Sequence, residues 1–437
     1  NTNDIVHAEY PYPSCYCGSD SEARGHEVFP VLFTHPRNAD AEWALKQSDD
    51  SKTYFTREWG DNVDDWNSHN SPSRVARNWG EQAMLIQAWH YAAPNYPYTC
   101  YDVLYRTPRQ HVGGCLWHSF DHQRGYHPDP FYGGLMDVFR QPKYSYYMFQ
   151  AQRSPKKQDR LFETGPMVYI AHEMTPFSPK DVTVYSNCDE VRLTYNKGGK
   201  SLTYTKPVSR EGMPSPIITF KDVYNFMIDK NMSMKEGRQK EVFLLAEGLI
   251  NGKVVATHKV CPARRPSKLL LWIDNENTEL KADGSDFVTV IAAIADKNGN
   301  IKRLNNYYVK FHIEGEGRIL GGANVLANPA PVKWGTAPIL VQSTLKPGKI
   351  KITASVLFEG SQMPVSAELE LESKPSAYPL IYASEEAALI PMKSDSQSFP
   401  ITAKSQKELE KEKAVKEQNE RKLKEVEQQQ ADFGEKK

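Results

Sequence analysis

Short runs in which apolar and polar residues alternate dominate the chain after about residue 165. Residues 181–187 and 190–195 follow this pattern, which is typical of half-buried strands. Asn251-Gly252 stands between two further apolar runs and predicts a tight hairpin. We therefore predict an immunoglobulin-like β-sandwich over residues 166–263, since such a domain takes about 100 residues.

The alternating pattern continues through residues 267–373. The mostly apolar run at 287–294 and the alternating run at 349–356 predict two strands, and residues 296–300, which contain Asp, Asn and Gly, predict a turn. This segment also has about the length of one immunoglobulin-like domain. We therefore predict a second sandwich here, followed from residue 375 by a linker.

Residues 1–150 show a different pattern, in which predicted strands alternate with predicted helices. Runs at 4–8, 52–56 and 111–117 predict the strands. Ser71-Pro72 predicts a helix start, with Ser as the N-cap and Pro at the first helical position. Four apolar residues would share one face of that helix at helical spacing: Val75, Trp79, Ala83 and Ile86.

Polar and aromatic residues gather where these predicted strands end, as they do at the active-site face of an α/β barrel. A complete (β/α)8 TIM barrel takes about 250 residues, but this region holds only three or four βα units. We therefore predict a multidomain protein of α/β plus all-β class. Residues 1–155 would form the C-terminal half of a TIM-barrel catalytic domain, and the two sandwiches would follow it.

Residues 375–437 are predicted to form a linker and a charged C-terminal helix. Ser405-Gln406-Lys407-Glu408 has the pattern of a capping box at the start of that helix. The few apolar residues after it keep no heptad repeat, which favours a solvated helix, with a coiled-coil partner helix as the alternative.

The charges balance, with 54 Lys and Arg against 54 Asp and Glu. No net field therefore attracts nucleic acid or an anionic membrane, and no run of about 18 apolar residues predicts a membrane span. The six cysteines are too sparse for a disulfide scaffold. Neither a metal-site spacing nor a nucleotide-binding or serine-hydrolase motif occurs. We expect no cofactor and no catalytic metal.

Glu58 is the strongest candidate for chemistry. It follows the predicted strand 52–56 and stands between Arg57 and Trp59-Gly60. A carboxylate at a strand end beside aromatic residues suits a glycosidase nucleophile, and a nearby cation would keep it ionised. An ordinary ion pair with Arg57 is the alternative. Glu9, at the end of an earlier predicted strand, is the rival carboxylate.

Four segments resemble successive parts of a known catalytic barrel. Thr53–Gly60 resembles the nucleophile strand of glycoside hydrolase family 2, whose best known members are β-galactosidases. Gly113–Asp121 resembles the next strand and Asp4–Tyr10 the preceding one, and Pro142–Tyr147 is similar to the segment that closes the barrel. Residues 182–191 are similar to the immunoglobulin-like domain that follows the barrel in Bacteroides-type members.

This resemblance implies roles for particular residues. Glu58 would be the nucleophile and Tyr10 the residue that hydrogen-bonds and orients it. Five further residues would contact the sugar or lie at the rim of its subsite: Trp59, Asp61, Trp117, His118 and Asp121.

The acid/base residue that the resemblance implies has no counterpart. In the family it is a Glu that follows an Asn at the end of the fourth barrel strand. The Asn-Glu pairs of this chain are Asn275-Glu276, in the second predicted sandwich, and Asn419-Glu420, in the predicted tail helix. We therefore expect the chain to be the C-terminal part of a longer enzyme, to need its missing N-terminal part as a partner, and to be inactive alone.

The resulting hypothesis is a retaining glycoside hydrolase that removes terminal β-galactosides, or related β-glycosides, from plant or algal polysaccharide fragments. The alternative is a non-catalytic carbohydrate-binding or scaffold protein with a degenerate barrel remnant. The resemblance also implies a bacterial protein that is periplasmic or secreted and compatible with a homo-oligomer.

Overall fold

The structure is a computed structural model. It describes the following residues: 31–33, 54–60, 71–92, 100–106, 111–123, 130–157, 164–196, 201–207, 212–234, 242–274, 278–357 and 363–377. The predicted strand 4–8 and the predicted helix from Ser405 lie outside these described residues.

Three parallel strands form the first sheet. They are β1 (Val31–Phe33), β2 (Tyr54–Trp59) and β3 (His111–Leu116), in the order β1-β2-β3. Helices lie between or after these strands: α1 (Glu81–Ala92), α2 (Tyr101–Arg106) and α3 (Tyr144–Gln150). Strands β2 and β3 are parallel neighbours connected through α1 and α2, which is the βα arrangement that the sequence pattern indicates. The half-barrel as a whole stays a prediction.

The helix predicted to start at Ser71-Pro72 starts instead at Glu81, and its buried face differs. Residues Arg77–Trp79 form a 3-10 turn, and Gly80 follows with φ of 93°. A left-handed residue cannot continue an α-helix, so α1 begins after it with a new phase. Trp79 and Ile86, expected to be buried, are 46% and 56% exposed. The buried residues of α1 are Glu81, Met84, Gln87, Ala88, His90, Tyr91 and Ala92.

The first sandwich consists of two antiparallel sheets. Its strands are β4 (Val168–Ala171), β5 (Val182–Ser186), β6 (Glu190–Tyr195), β7 (Ser201–Thr205), β8 (Ile218–Phe220), β9 (Leu244–Ile250) and β10 (Lys253–Val260). Sheet β4-β5-β8 faces sheet β10-β9-β6-β7 across one core to which both contribute, for example through Val184 and Leu193. Helix α4 (Phe226–Met234) lies between β8 and β9 in the sequence.

The predicted hairpin at Asn251-Gly252 is confirmed. Ile250 of β9 pairs with Lys253 of β10, so the loop has two residues. Both have left-handed backbone, with φ of 52° at Asn251 and 74° at Gly252. Asn and Gly tolerate that conformation better than other residues, which is why this pair predicts the turn.

The second sandwich has a four-stranded and a five-stranded sheet. Its strands are β11 (Lys268–Asp274), β12 (Lys281–Ala282), β13 (Phe287–Ala295), β14 (Tyr308–Gly315), β15 (Gly317–Ile319), β16 (Ala330–Pro331), β17 (Thr336–Ser343), β18 (Gly348–Leu357) and β19 (Ala367–Pro375). Sheet β11-β13-β17-β15 packs against sheet β12-β19-β18-β14-β16 over a shared aliphatic core.

A third core joins the helices to the first sandwich. Met84 and Tyr91 of α1 pack with Tyr144 and Met148 of α3 and with Tyr185 on β5. Helices α1 and α3 therefore lie against the face of the β4-β5-β8 sheet that points away from the sandwich core. None of the described helices combines the length and the apolar character that crossing a bilayer requires.

Candidate functional site

The C-terminal ends of β2 and β3 lie side by side. The backbone N–H of Trp117, just after β3, donates to the carbonyl of Trp59 at 2.9 Å. Trp59 also pairs in register with Leu116. Because both strands point the same way, the residues that end them meet at one edge of the sheet. The segments that carry the predicted nucleophile and the predicted sugar-contacting Trp117 and His118 are thus direct neighbours.

Gly60 ends β2 in a way that only glycine permits. Its φ is 96°, and a Cβ there would lie 2.6 Å from Cδ1 of Leu116 and 3.0 Å from the ring of Tyr91. His90 on α1 makes a 2.8 Å hydrogen bond from Nε2 to the Gly60 carbonyl oxygen. The turn after Glu58-Trp59 is therefore fixed by a close backbone approach and by a contact from the following helix.

Glu58 is the fifth residue of β2, and its backbone is in register with Phe33 of β1. The structure describes its backbone and not its side chain, and Tyr10 and Asp61 lie outside the described residues. The nucleophile role of Glu58, the orienting role of Tyr10 and the sugar contact of Asp61 therefore stay predictions.

Trp59 is buried, although the sequence predicts that it contacts the sugar. Only 3% of it is exposed, and its ring lies 6.0 Å from the rings of both Tyr101 and Phe149. Its indole therefore contributes to the junction between β2, α2 and α3. This position favours a structural role that holds the strand end beside Glu58.

Trp117 and His118 form the start of an aromatic group at the end of β3. The Trp117 indole is half-buried and stacks on the His118 imidazole with ring centroids 5.3 Å apart. His118 in turn contacts His122 at 4.5 Å and Phe131 at 5.0 Å, both edge to face. Among the sugar-contacting residues predicted from the sequence and described here, Trp117 has the position best suited to a sugar platform.

Asp121 forms a buried ion pair. Its Oδ1 accepts from Lys143 Nζ at 2.7 Å and from the Gly134 backbone N–H at 2.9 Å. Burial raises the pKa of Asp121 to about 6, although the Lys143 charge acts in the opposite direction. Burial likewise lowers the pKa of Lys143. Asp121 was expected at the rim of the subsite, but these contacts favour a structural role in the fold of residues 118–136.

A second segment covers the one that carries His118. Asp121 N donates to the Met136 carbonyl at 2.9 Å, and Met136 N donates to the Ser119 carbonyl at 3.1 Å. Gly134 permits this contact, since a Cβ there would lie 2.3 Å from Asp121 N. Helix α1 supports the arrangement, because the Tyr91 hydroxyl donates to the Gly133 carbonyl at 2.6 Å.

Sequence reasoning missed several of these supporting residues. Lys143 lies 22 positions from Asp121, and Tyr91 lies 42 positions from Gly133. A lysine after a proline and a tyrosine on a helix carry no local signal of such contacts. In the part of the chain that the structure describes, no three histidine, cysteine or carboxylate side chains gather as a metal site would require.

Comparison with known proteins agrees with this architecture. Residues 271–357 match the family described as glycoside hydrolase family 2 C-terminal domain 5. A β-galactosidase of Thermoanaerobacter pseudethanolicus is 32% identical over 273 residues, which are 61% of this chain and 34% of that protein. A β-galactosidase of Bacteroides ovatus is 28% identical over 261 residues, or 56% of this chain and 27% of that protein.

This chain matches the C-terminal part of glycoside hydrolase family 2 proteins. It spans about a third of the length of the first of these relatives and about a quarter of the second. The predicted resemblance to the C-terminal part of glycoside hydrolase family 2 proteins is thereby confirmed as a resemblance, and the roles inferred from Thr53–Gly60 and the neighbouring segments stay predictions.

Solved structures support the fold. A β-glucuronidase from glycoside hydrolase family 2 aligns with a TM-score of 0.55 at 19% identity, covering 86% of this chain and 37% of its own. A β-glycosidase from Bacteroides vulgatus aligns with a TM-score of 0.53 at 18% identity, covering 85% and 48%. At these identities the likeness concerns the fold alone.

Proposed function

We propose that this chain is the nucleophile-bearing part of a retaining glycoside hydrolase that acts on terminal β-galactosides or related β-glycosides. Plant or algal polysaccharide fragments are the proposed source of these glycosides, and an exported bacterial enzyme is the proposed setting. The family match supports the glycosidase class, and the two similar β-galactosidases support a galactoside as substrate.

The observation that carries this proposal is the adjacency of two strand ends. The hydrogen bond from Trp117 N to Trp59 O joins the residue after Glu58 to a half-buried indole at the end of the next strand. A glycosidase needs a carboxylate near the anomeric carbon and a flat surface that positions the sugar ring. Glu58 and Trp117 supply these two residue types on neighbouring parallel strands.

In the proposed reaction, Glu58 attacks the anomeric carbon and forms a glycosyl-enzyme ester while the leaving oxygen accepts a proton from a second carboxylic acid. That second group, as a carboxylate, then takes a proton from water, and the resulting hydroxide releases the sugar with its original configuration. The two carboxyl groups must lie about 5–5.5 Å apart in such enzymes. The Asn-Glu pairs of this chain lie outside its barrel region, so we propose that the acid/base belongs to a preceding part of the complete polypeptide.

The test uses the complete natural polypeptide and an aryl β-galactoside with a good leaving group. Glu58→Ala should lower kcat by at least about 10³-fold while leaving Tm nearly unchanged. Added azide should then restore turnover and release an α-galactosyl azide, because azide attacks from the face that Glu58 normally occupies. Glu314→Ala, which removes an exposed carboxylate of the second sandwich, is the matched control and should keep wild-type activity.

Three results would contradict the proposal. Unchanged turnover in Glu58→Ala would exclude Glu58 as the nucleophile, and a β-galactosyl azide would assign it the acid/base role instead. A complete polypeptide that binds oligosaccharides but never cleaves them would favour a non-catalytic carbohydrate-binding or scaffold protein with a degenerate barrel remnant.

A further inference from the structure

A cleft of about 1040 Å³ lies between the helical region and the second sandwich. One wall is the outer face of the β11-β13 sheet, where Trp272 and Phe287 point away from the sandwich core. The opposite wall contains Phe120, from the segment after β3, and Tyr146 of α3. Trp272, Phe287 and Phe120 are 36%, 49% and 41% exposed, which is unusual for large aromatic side chains gathered in one concavity.

The floor of the cleft is braced across the modules. The Arg77 guanidinium donates from Nη2 to Gln141 Oε1 at 3.1 Å and to the Lys333 carbonyl of the second sandwich at 3.2 Å. Arg303 of the second sandwich forms an ion pair with Glu173 at 3.0 Å. Because these contacts, which are buried or partly buried, tie the second sandwich to the helical region and to the first sandwich, the cleft is preformed, and preformed clefts at domain interfaces are where small ligands usually bind.

The charged residues that line the cleft indicate which class of ligand it suits. Among the described residues that line the cleft, four are arginines and four are aspartates or glutamates. This balance gives no preference for a polyanion or a polycation. Exposed aromatic faces combined with spaced guanidinium and carboxylate groups suit a ligand with apolar C–H faces and many hydroxyl groups. A neutral oligosaccharide has this composition.

The cleft and the candidate site are connected through the segment that follows β3. Phe120 of this segment lines the cleft. Phe120 is two residues from His118, so one short segment contributes to both places.

We propose that this cleft binds a neutral oligosaccharide, as the remote part of the glycan whose terminal sugar is cleaved at the strand ends. The proposal rests on the proposed function, because it takes the substrate to be a glycan longer than one sugar. Trp272 would be the central contact, because it is an exposed aromatic anchor on a rigid strand, and such residues dominate binding when they sit centrally in a site.

The test measures binding to the complete polypeptide carrying Glu58→Gln, by titration calorimetry with cellotetraose, xylotetraose and β-1,4-galactotetraose as neutral probes and tetragalacturonate as the anionic probe. At least one neutral probe should bind. Trp272→Ala should weaken that binding by about tenfold or more, whereas Trp272→Phe should keep most of it. Tyr308→Ala is the matched control, since Tyr308 is 43% exposed on the other sheet of the same sandwich.

Three results would overturn the proposal: no neutral tetrasaccharide binds, Trp272→Ala binds as tightly as its parent, or tetragalacturonate binds more tightly than every neutral probe. A second assay separates this proposal from the proposed glycosidase function. It measures turnover of the aryl β-galactoside by a protein whose only change is Trp272→Ala. That turnover should stay within about twofold of wild type, because a short substrate does not reach the cleft. If the enzyme reaction fails altogether, the calorimetric comparison still tests the cleft.

Discussion

Glu81 provides the sharpest test of how the helices are joined to the first sandwich. This carboxyl, the first residue of α1, is 5% exposed. Its Oε1 accepts from the Glu173 backbone N–H at 3.0 Å, and its Oε2 accepts from the Ser178 hydroxyl. Burial raises the pKa of Glu81 from 4.5 to about 8. The start of a helix favours a carboxylate by only about 0.3–1 kcal/mol, so burial outweighs it.

The sign of the pH effect follows from the two states. Below pH 4.5 the folded and unfolded chains both hold the Glu81 proton, so its stability contribution is complete. Between pH 4.5 and about 8 the unfolded chain has lost that proton and the folded chain still holds it, so stability falls as the pH rises. A difference of one pKa unit between the folded and unfolded states corresponds to about 1.36 kcal/mol of unfolding free energy. The difference between 4.5 and about 8 therefore lowers the free energy of unfolding by about 5 kcal/mol at most.

Glu81→Gln removes this loss, because glutamine stays neutral and can still accept from the Glu173 N–H. We expect the variant to match the wild type at pH 5 and to unfold at a higher temperature at pH 9. With about 2–4 °C per kcal/mol for a unit of 150–250 residues, the difference in Tm at pH 9 should be about 10 °C. Scanning calorimetry of both proteins at the two pH values measures it.

The control is Glu173→Gln at the same junction. Glu173 pairs with Arg303 at 3.0 Å, so its loss leaves a guanidinium without its counter-charge and should destabilise the protein by about 3 kcal/mol at pH 5. The destabilisation should be smaller at pH 9, because the charge of Glu173 also contributes to the raised pKa of Glu81. If Glu81→Gln and wild type differ in Tm by the same amount at pH 5 and pH 9, Glu81 is ionised in the folded protein and the reasoning fails.

Three further substitutions test other parts of the structure by Tm. Lys143→Met should cost about 3–5 kcal/mol of stability, because it leaves the Asp121 carboxyl buried without its cation. Adding Asp121→Asn should recover part of that loss. A double variant no more stable than Lys143→Met would contradict this expectation. Gly60→Ala should cost more than about 2 kcal/mol of stability and reduce activity. Its Cβ would clash with the Leu116 side chain, and alanine is strained at the positive φ of this position. Gly252 also has a positive φ, but nothing lies within 4 Å of an added Cβ there, so Gly252→Ala should cost only about 1 kcal/mol. Equal losses at the two glycines would refute the steric argument.

The features predicted correctly from the sequence are those that depend on local chemistry. Asn251-Gly252 predicts its hairpin because the left-handed conformation is a property of those two residues. The helix expected from Ser71 fails because its apolar spacing was assumed to continue through Gly80, whose left-handed φ changes the phase. Backbone conformation at one glycine therefore overrides a periodic pattern of four residues.

Some features of the candidate site could likewise be predicted from the sequence, and others could not. Parallel strands bring their ends together, so the proximity of the Glu58 segment to Trp117 follows from the predicted βα order. The burial of Trp59 could not be predicted, because its ring partners Tyr101 and Phe149 come from two later helices. A tryptophan beside a candidate nucleophile has the same sequence signal whether it faces a sugar or a helix.

The central strand of the second sandwich carries a signal of the contact between modules. A strand with one face in a sandwich core and one in solvent should alternate, as β18 does. Strand β13 instead is buried at every residue from Val288 to Ala295. Its outer face is covered where Ala293 pairs with Thr336, whose hydroxyl accepts a hydrogen bond from Arg77 of the helical region. The run at 287–294, apolar except for Thr289, is therefore explained by docking of this sheet onto the helical region, and the same docking forms the cleft.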